Sequence, residues 1–366
     1  MKKLITLVLC LAMVTATFAG CTTAPATETP TATEAPATTD VPVATEVPVV
    51  EPTEAPAAGG QKTGLAVITT VDKSVAAGEK DGKAQADSMI VAVSVDVNGV
   101  ISRCNIDSAQ TAIGFNKDGK LTTDVATLFP SKQELGANYG MAKASAIGKE
   151  WNEQIDALAA YCVGKTIDQV KGIAMTETTA PADADLAASC TISIAGYLNA
   201  IAKAVEYAAE TDAMSGDKLG LGVITNMRKS LDVAKDADGL AQAYSTYAVV
   251  TVDANGKITS CIIDASQANV NFDKAGAITS DLTAEVKTKN ELGAAYGMAK
   301  ASAIGKEWNE QAAAFAAYCV GKTADEVKGI AMNDQGLAAD ADLIASVTVH
   351  IGEFMDVVAK AVANAK

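Results

Sequence analysis

The stretch Met89–Asp107 reads MIVAVSVDVNGVISRCNID. Apolar and polar residues alternate on both sides of Asn98-Gly99, a dipeptide typical of the two-residue turn between antiparallel strands. The stretch Tyr247–Asp264, YAVVTVDANGKITSCIID, repeats this alternation around Asn255-Gly256. Each stretch therefore predicts a β-hairpin, and the two hairpins decide the fold class of what surrounds them.

Both hairpins belong to a longer internal repeat. The stretch YGMAKASAIGKEWNEQ starts at Tyr139 and recurs letter for letter at Tyr296, 157 residues later. GLAVIT at Gly64 is matched by GLGVIT at Gly220, 156 residues later, so one residue was gained or lost between the two stretches. A period of this length indicates tandem globular domains rather than a solenoid. We predict one domain over residues 61–210 and a second over residues 211–366.

After the hairpins the hydrophobic period changes from that of a strand to that of a helix. One apolar helical face is formed in EWNEQIDALAAYCVGK by Trp151, Ile155, Leu158, Ala159 and Cys162, and Gly164 ends the helix. Thr323 and Glu326 form a capping box that predicts a further short helix. The last helix of each copy starts near Gly196 or Gly352. Strands followed by helices predict an α+β fold, with an antiparallel sheet and packed helices in each copy.

The N-terminal segment predicts export. Residues 1–20 combine Lys2 and Lys3 with a short apolar run, which is typical of a signal peptide and shorter than the roughly 20 residues of a spanning helix. FAGC, which ends at Cys21, resembles the lipobox of bacterial lipoproteins, where the cysteine carries the lipid. An ordinary signal peptide followed by an incidental cysteine is the alternative.

Residues 21–60 are rich in Thr, Pro, Ala and Glu and contain no Lys or Arg. Such a composition predicts a disordered tether, which at about 3.1 Å per residue reaches on the order of 100 Å. We therefore expect a lipoprotein held at the membrane by its N-terminal lipid. Its body is expected on the outer side of the bacterial cytoplasmic membrane or on the cell surface.

Composition excludes several classes of function. A net charge of -15 and only 4% aromatic residues argue against a nucleic-acid partner. The single histidine, His350, leaves no basis for a Ser-His-Asp triad or a His-rich zinc site, and no C-x-x-C motif occurs. A carrier or binding protein is favoured over an enzyme that turns over a substrate.

Five cysteines lie beyond the tether: Cys104, Cys162, Cys190, Cys261 and Cys319. Their odd number argues against a full disulfide framework. Because their neighbours are apolar, small buried hydrophobic side chains are the favoured interpretation. One bridge within each copy stays open as the alternative.

Two equivalent stretches contain the candidate site. DLAASCTISIAGYL starts at Asp185 and DLIASVTVHIGEFM at Asp342, and in both an Asp stands six positions before a Thr, at Thr191 or Thr348. Together with the hairpin, an ELG element and a helix ending in Gly-Lys, this layout resembles the FMN-binding domain family. The family includes exported flavin-carrying lipoproteins and flavin subunits of the Rnf complex and of the sodium-pumping NADH:quinone oxidoreductase.

The resemblance implies a flavin cofactor, FMN, joined through its phosphate to Thr191 and Thr348. A flavin transferase would use FAD and release AMP, and redox partners would exchange electrons with the bound flavin. The phosphate would lie near a helix N-terminus, where free N–H groups favour anions. The other residues assigned to the cofactor by the resemblance are Asp185, Asp342, Ser193, Leu135, Gly136, Tyr139, Met141, Trp151, Leu292, Gly293, Tyr296, Met298 and Trp308.

The family pattern is incomplete in this chain. Leu186 and Ser189 stand where the family has glycines, and a glycine lets the backbone approach a phosphate closely. Two hypotheses therefore follow. The first is a surface lipoprotein that carries flavin for extracellular or membrane-surface electron transfer. The second is a non-catalytic surface lipoprotein whose duplicated domains have lost the flavin and act as a binding or display module, with Thr191 leading into a core helix and Trp151 inside the core.

Overall fold

The computed structural model describes residues 60–366, which belong to one compact unit. The predicted signal peptide, the lipidated Cys21 and the tether lie outside the described residues. Within residues 60–366, no helix has the length and hydropathy needed to cross a membrane.

The hairpin predicted around Asn98-Gly99 is confirmed. Strand β2 (Gly82–Val95) pairs antiparallel with β3 (Ile101–Phe115), and β1 (Gly60–Thr70) pairs antiparallel with the other edge of β2. Gly99 has a φ of 78°, a value that glycine adopts without steric cost. The connection is longer than a two-residue turn, because Asp96 N–H donates to the Val100 carbonyl over 2.9 Å and the strand register shifts at Val95.

Helices follow the first three strands. In chain order the remaining elements of the first half are β4 (Leu128–Phe129), α1 (Lys132–Leu135), a 3-10 turn (Gly136–Tyr139), α2 (Trp151–Cys162), α3 (Ile167–Lys171), α4 (Ala184–Ala187) and α5 (Ala195–Glu206). The apolar face predicted for α2 is buried as expected.

The second half also places its strands before its helices. It comprises β5 (Ala209–Met214), β6 (Lys218–Asn226), β7 (Gly239–Val252), β8 (Ile258–Phe272), α6 (Lys289–Leu292), a 3-10 turn (Gly293–Tyr296), α7 (Trp308–Cys319), α8 (Ala324–Lys328), α9 (Ala341–Ile344) and α10 (Gly352–Ala363). However, β5 joins the sheet of β1, β2 and β3, and β4 joins the sheet of β6, β7 and β8. The capping box of Thr323 and Glu326 is present at the start of α8.

The strands form two antiparallel four-stranded sheets, ordered β3-β2-β1-β5 and β4-β6-β7-β8. Short segments cross between the halves. Phe129 of β4 pairs with Thr225 of β6, and Val286 of the second half makes the matching bridge to Thr69 of β1. Each half therefore contributes backbone hydrogen bonds to the sheet of the other.

The two sheets pack face to face, with the helices on the outside. Helices α2 and α5 contact the first sheet and α7 and α10 the second, while β3 contacts β6 and β7. The alternation of the hairpin strands predicts one buried and one exposed face of the sheet. This prediction is wrong for the central strand β2, whose two faces are both buried. Ile90 and Ala92 lie between the sheets, Val91 and Val93 lie under the helices, and all four are 0% exposed.

Phe115 and Phe272 join the halves at one end of the sheet-to-sheet interface. They are equivalent residues of the repeat, and their rings stack with centroids 4.3 Å apart and an interplanar angle of 13°. Both rings are fully buried in a cluster built from β2, β3, β7 and β8. Offset stacking of this kind contributes about 0.5–1.5 kcal/mol beyond the buried area.

Candidate functional site

Thr191 and Thr348 are each held by a buried glutamine. The Thr191 backbone N–H and hydroxyl both donate to Gln154 Oε1, over 2.8 and 3.1 Å. Thr348 makes the same two bonds to Gln311 Oε1, over 2.8 and 3.2 Å. Both threonines are half-buried. The two hydroxyls are therefore committed to an internal hydrogen bond in both halves.

The glutamines extend this connection to a loop. Gln154 Nε2 donates to Ser145 Oγ over 2.9 Å and to the Lys149 carbonyl over 3.0 Å, and Gln311 makes the equivalent bonds to Ser302 and Lys306. Gln154 is 0% exposed. A buried amide needs such partners, since leaving it unpaired costs about 1–3 kcal/mol. Sequence reasoning missed Gln154 and Gln311, although both end the verbatim repeat.

The predicted acidic residues Asp185 and Asp342 are exposed and lie in the first turns of α4 and α9. The capping carboxylates are Asp183 and Asp340, two positions earlier. Asp183 Oδ1 accepts from the N–H groups of Asp185 and Leu186, over 3.1 and 3.2 Å. The spacing from Asp185 to Thr191 thus contains a short capped helix.

Ser193 is exposed, and its hydroxyl lies 2.6 Å from that of Thr179. Thr179 has a φ of 61°, and the equivalent position in the second half is Gly336. His350 stands at the place of Ser193 there. The two halves therefore differ just before α5 and α10.

The tryptophans lie inside the core. Trp151 is 3% and Trp308 is 4% exposed. Their rings lie 6.2 Å from Tyr197 and 5.6 Å from Phe354, respectively. Tyr139, Met141, Tyr296 and Met298 are half-buried and pack against the same two cores. The structure thus brings each predicted aromatic and methionine group together, but around a protein core.

A lysine that sequence reasoning missed lies over each aromatic group. Lys132 Nζ is 4.7 Å from the Tyr139 ring centroid, and Lys289 Nζ is 4.8 and 4.6 Å from those of Tyr296 and Trp308. Lys289 is 3% exposed and donates to Tyr244 Oη over 2.9 Å. Burial lowers the pKa of Lys289 to about 8. Each of these lysines therefore makes cation–π contacts with the aromatic rings of its own half.

The ELG elements end two short helices and join the halves. Leu135 and Leu292 are the last residues of α1 and α6, and Gly136 and Gly293 are their C-caps. Glu134 Oε1 forms an ion pair with Lys360 Nζ at 2.5 Å, and Glu291 forms the equivalent ion pair with Lys203. Glu134 also completes a capping box with Ser131. These elements therefore connect one half to the other.

Clefts open beside these ion pairs, including one of about 660 Å³ whose lining includes Glu134, Arg228, Gly352 and Lys360. Two others lie at equivalent places in the two halves. The first cleft, of about 290 Å³, is lined by Asn105, Ile106, Asp107, Gln133, Glu134, Asp156, Leu221, Lys360, Asn364 and Lys366. The second cleft, of about 390 Å³, is lined by Leu65, Tyr207, Ile262, Asp264, Asn290 and Glu291. Neither of these two clefts is lined by Thr191 or Thr348.

The first and second clefts each contain one buried carboxyl group. Asp107 and Asp264 are 7% and 6% exposed, and burial raises the pKa of both to about 6. Asp107 Oδ1 accepts from the N–H groups of Ser108 and Gln133, over 2.7 and 3.1 Å. These bonds stabilise the carboxylate but do not offset its loss of water.

Within residues 60–366, no group of three His, Cys, Asp or Glu side chains is arranged to hold a metal ion. No protein-family model, curated protein or solved structure matches the chain. The likeness to the FMN-binding domain family therefore stays a hypothesis from the sequence.

Proposed function

We propose that the chain is a lipid-anchored surface protein whose body is a non-catalytic binding or display module. The body would consist of two tandem FMN-binding-like domains, residues 61–210 and 211–366, packed face to face and without a flavin. The tether would hold this body on the outer side of the membrane.

One observation carries this proposal. In both halves the groups that a flavin would need are already used inside the protein. The Thr191 and Thr348 hydroxyls donate to buried glutamines, and Trp151 and Trp308 are core residues. Lys132 lies over the Tyr139 ring and Lys289 over the Tyr296 ring. Flavin binding would have to disrupt packing in two places.

The accessible polar surface that remains suits a partner or a small polar ligand. The first cleft presents Asn105, Gln133 and Asp156 beside Lys360 and Lys366. Amide and charged groups of both signs are hydrogen-bond donors and acceptors for a polar partner. The net charge of -15 disfavours nucleic acid as that partner.

Flavin carriage is the second candidate. Thr191 and Thr348 are half-buried, and each comes shortly before a 12-residue helix whose N-terminus has no side-chain cap. If the hydroxyl were esterified to FMN, the threonine N–H could still donate to the glutamine. The chain would then transfer electrons at the cell surface, with a flavin transferase and redox partners.

The experiment that separates the two candidates uses the full chain produced with and without a bacterial flavin transferase. We expect colourless protein with the same mass in both preparations, apart from the lipid. Flavin absorbance with a matching mass increase, lost in a Thr191→Val, Thr348→Val double variant, would overturn our proposal and establish the second candidate. The matched control is Thr176→Val, an exposed threonine that precedes α4.

A further inference from the structure

Four cysteines form two equivalent strand-to-helix pairs. Cys104 lies on β3 and Cys162 is the last residue of α2, while Cys261 lies on β8 and Cys319 is the last residue of α7. All four are free thiols. Each pair lies in the core of its half, where the strand packs against the helix.

The partners in each pair are neighbours. The neighbouring Cys319 thiol and burial raise the pKa of Cys261. Burial and, to a smaller extent, the neighbouring Cys162 thiol raise the pKa of Cys104. Each pair thus shares one core in which its strand packs directly on its helix, and a disulfide needs Cβ atoms about 3.5–4.5 Å apart.

Backbone hydrogen bonds keep each strand beside the end of its helix. Gly164 N–H donates to the Ile101 carbonyl over 2.8 Å, and Ile101 N–H donates to the Lys165 carbonyl over 3.0 Å. In the second half, Ile258 makes the equivalent bonds with Gly321 and Lys322 over 2.7 and 2.9 Å. These bonds tie the start of each strand, three residues before its cysteine, to the residues that follow the cysteine at the end of the helix.

The fifth cysteine of the described body has no equivalent. Cys190 is fully buried in the first core, and Val347 stands at its position in the second half. The second half has Cys261 and Cys319 but no equivalent of Cys190. The pair that occurs in both halves is therefore the one that joins a strand to a helix.

We propose that Cys104 with Cys162, and Cys261 with Cys319, are disulfide-forming sites that a small disulfide oxidant closes. One protein thiolate attacks the oxidant R–S–S–R, giving a mixed disulfide and one R–SH. The second protein thiolate attacks the protein sulfur of the mixed disulfide and releases the second R–SH. Two protein thiols are oxidised, one external disulfide is reduced to two thiols, and the two protons end on the released thiols.

The environment determines when this exchange occurs. Burial raises the pKa of Cys162 to about 12, so its reactive thiolate is scarce in the folded protein. We therefore expect exchange to be slow in the native state and fast during refolding, when the cysteines are exposed. This sets the conditions of the test.

The test uses the full chain, reduced and then refolded in oxidised glutathione, with remaining thiols blocked by N-ethylmaleimide. Without reduction, trypsin should release Cys104–Lys117 joined to Glu150–Lys165, and Ile258–Lys274 joined to Glu307–Lys322. The peptide Gly172–Lys203, which contains Cys190, should carry the maleimide instead. Both joined pairs should disappear when a reductant is added before digestion.

Two variants sharpen the result. Cys190→Val introduces the residue of the second half and should leave both joined pairs unchanged. Cys104→Ser should remove the first pair only, so that Cys162 is found blocked. Maleimide on all five cysteines of the wild-type body, or Cys162 joined to Cys190, would overturn the assignment. The test does not depend on export or on flavin, so its result is independent of the function proposed above.

Discussion

At the residue scale, the most consequential side chains are polar groups that are buried. Gln154 and Gln311 each connect a loop to the lead-in of a core helix, which explains why a polar residue stands on an otherwise apolar face of α2 and α7. Asp107 and Asp264 are buried carboxyl groups next to ion pairs between the halves. The buried glutamines stay neutral at every pH, whereas the buried aspartates change charge as the pH changes.

We predict that the free energy of unfolding falls as the pH rises, because Asp107 and Asp264 lose their protons in a buried environment. Their folded-state pKa of about 6 lies above the usual 3.8, so the folded state binds protons more tightly. Their stabilising effect is full below about pH 4 and is lost as pH rises through about 6. Asp107→Asn should therefore raise the free energy of unfolding at pH 7.5 by up to about 3 kcal/mol. Urea unfolding from pH 4.5 to 7.5 measures the change.

The control for this prediction is the exposed Asp118→Asn, which should leave the pH dependence of stability unchanged. Equal stability of Asp107→Asn and wild type at both ends of the pH range would show that the buried carboxyl is not the titrating group.

At the element scale, much of the secondary structure could be predicted from local sequence. Asn98-Gly99 fixes a hairpin turn, and the spacing from Trp151 to Cys162 fixes the buried face of α2. Sheet stacking could not be predicted, because the small and β-branched residues of β2 suit either face. The pairing of β4 with β6 involves only two residues and depends on contacts distant in sequence. The role of Thr191 could not be predicted without its partner Gln154, 37 residues away.

In both halves a strand lies so close to a helix that only glycine fits at the point of contact. A Cβ atom added at Gly64 would lie 2.0 Å from the Ala204 carbonyl oxygen of α5, and one at Gly220 would lie 2.0 Å from that of Ala361 of α10. Real side chains do not reach such distances without moving the backbone. The repeated GLAVIT and GLGVIT motifs thus set the separation between sheet and helix.

We predict that Gly64→Ala and Gly220→Ala each destabilise the protein by about 1–3 kcal/mol or more, because overpacking pushes the helix off the strand. The matched control is Gly216→Ala, since no atom lies within 4 Å of a Cβ added there. Urea midpoints with a common slope would measure the difference. A Gly64→Ala variant as stable as Gly216→Ala would contradict the close approach.

At the scale of the whole molecule, the contacts between the two halves are extensive, so we expect neither half to unfold without the other. Exchanged β-bridges, the two ion pairs and the buried surface between the sheets all join residues that are far apart in the chain. Val67, Ile90 and Ala92 would be exposed to water if the second half unfolded alone. Exposing apolar surface costs about 25 cal/mol per Å². We therefore expect one cooperative unfolding transition.

Each half carries one of the two tryptophans, and both are buried, so each half has its own fluorescent reporter. Trp308→Phe leaves Trp151 to report on the first half, and Trp151→Phe leaves Trp308 to report on the second. We predict equal urea midpoints from the two reporters. Phe272→Ala, made in the second half, should lower the midpoint reported by Trp151, because truncating a buried Phe costs about 3–5 kcal/mol.

The control here is Val163→Ala, an exposed substitution that should shift neither reporter. If Phe272→Ala shifts only the Trp308 signal, the halves unfold independently and the sheet-to-sheet contact contributes little.

The stacked rings of Phe115 and Phe272 place each residue opposite its own counterpart in the repeat. In an assembly of two identical chains, every mutation would appear in both copies. Here the covalent link allows each side to diverge alone, and it has done so at the clefts. Asp156 on one side corresponds to Ala313 on the other, and Asn105 corresponds to Ile262. One molecule thus carries two recesses in equivalent places that present different side chains to a partner.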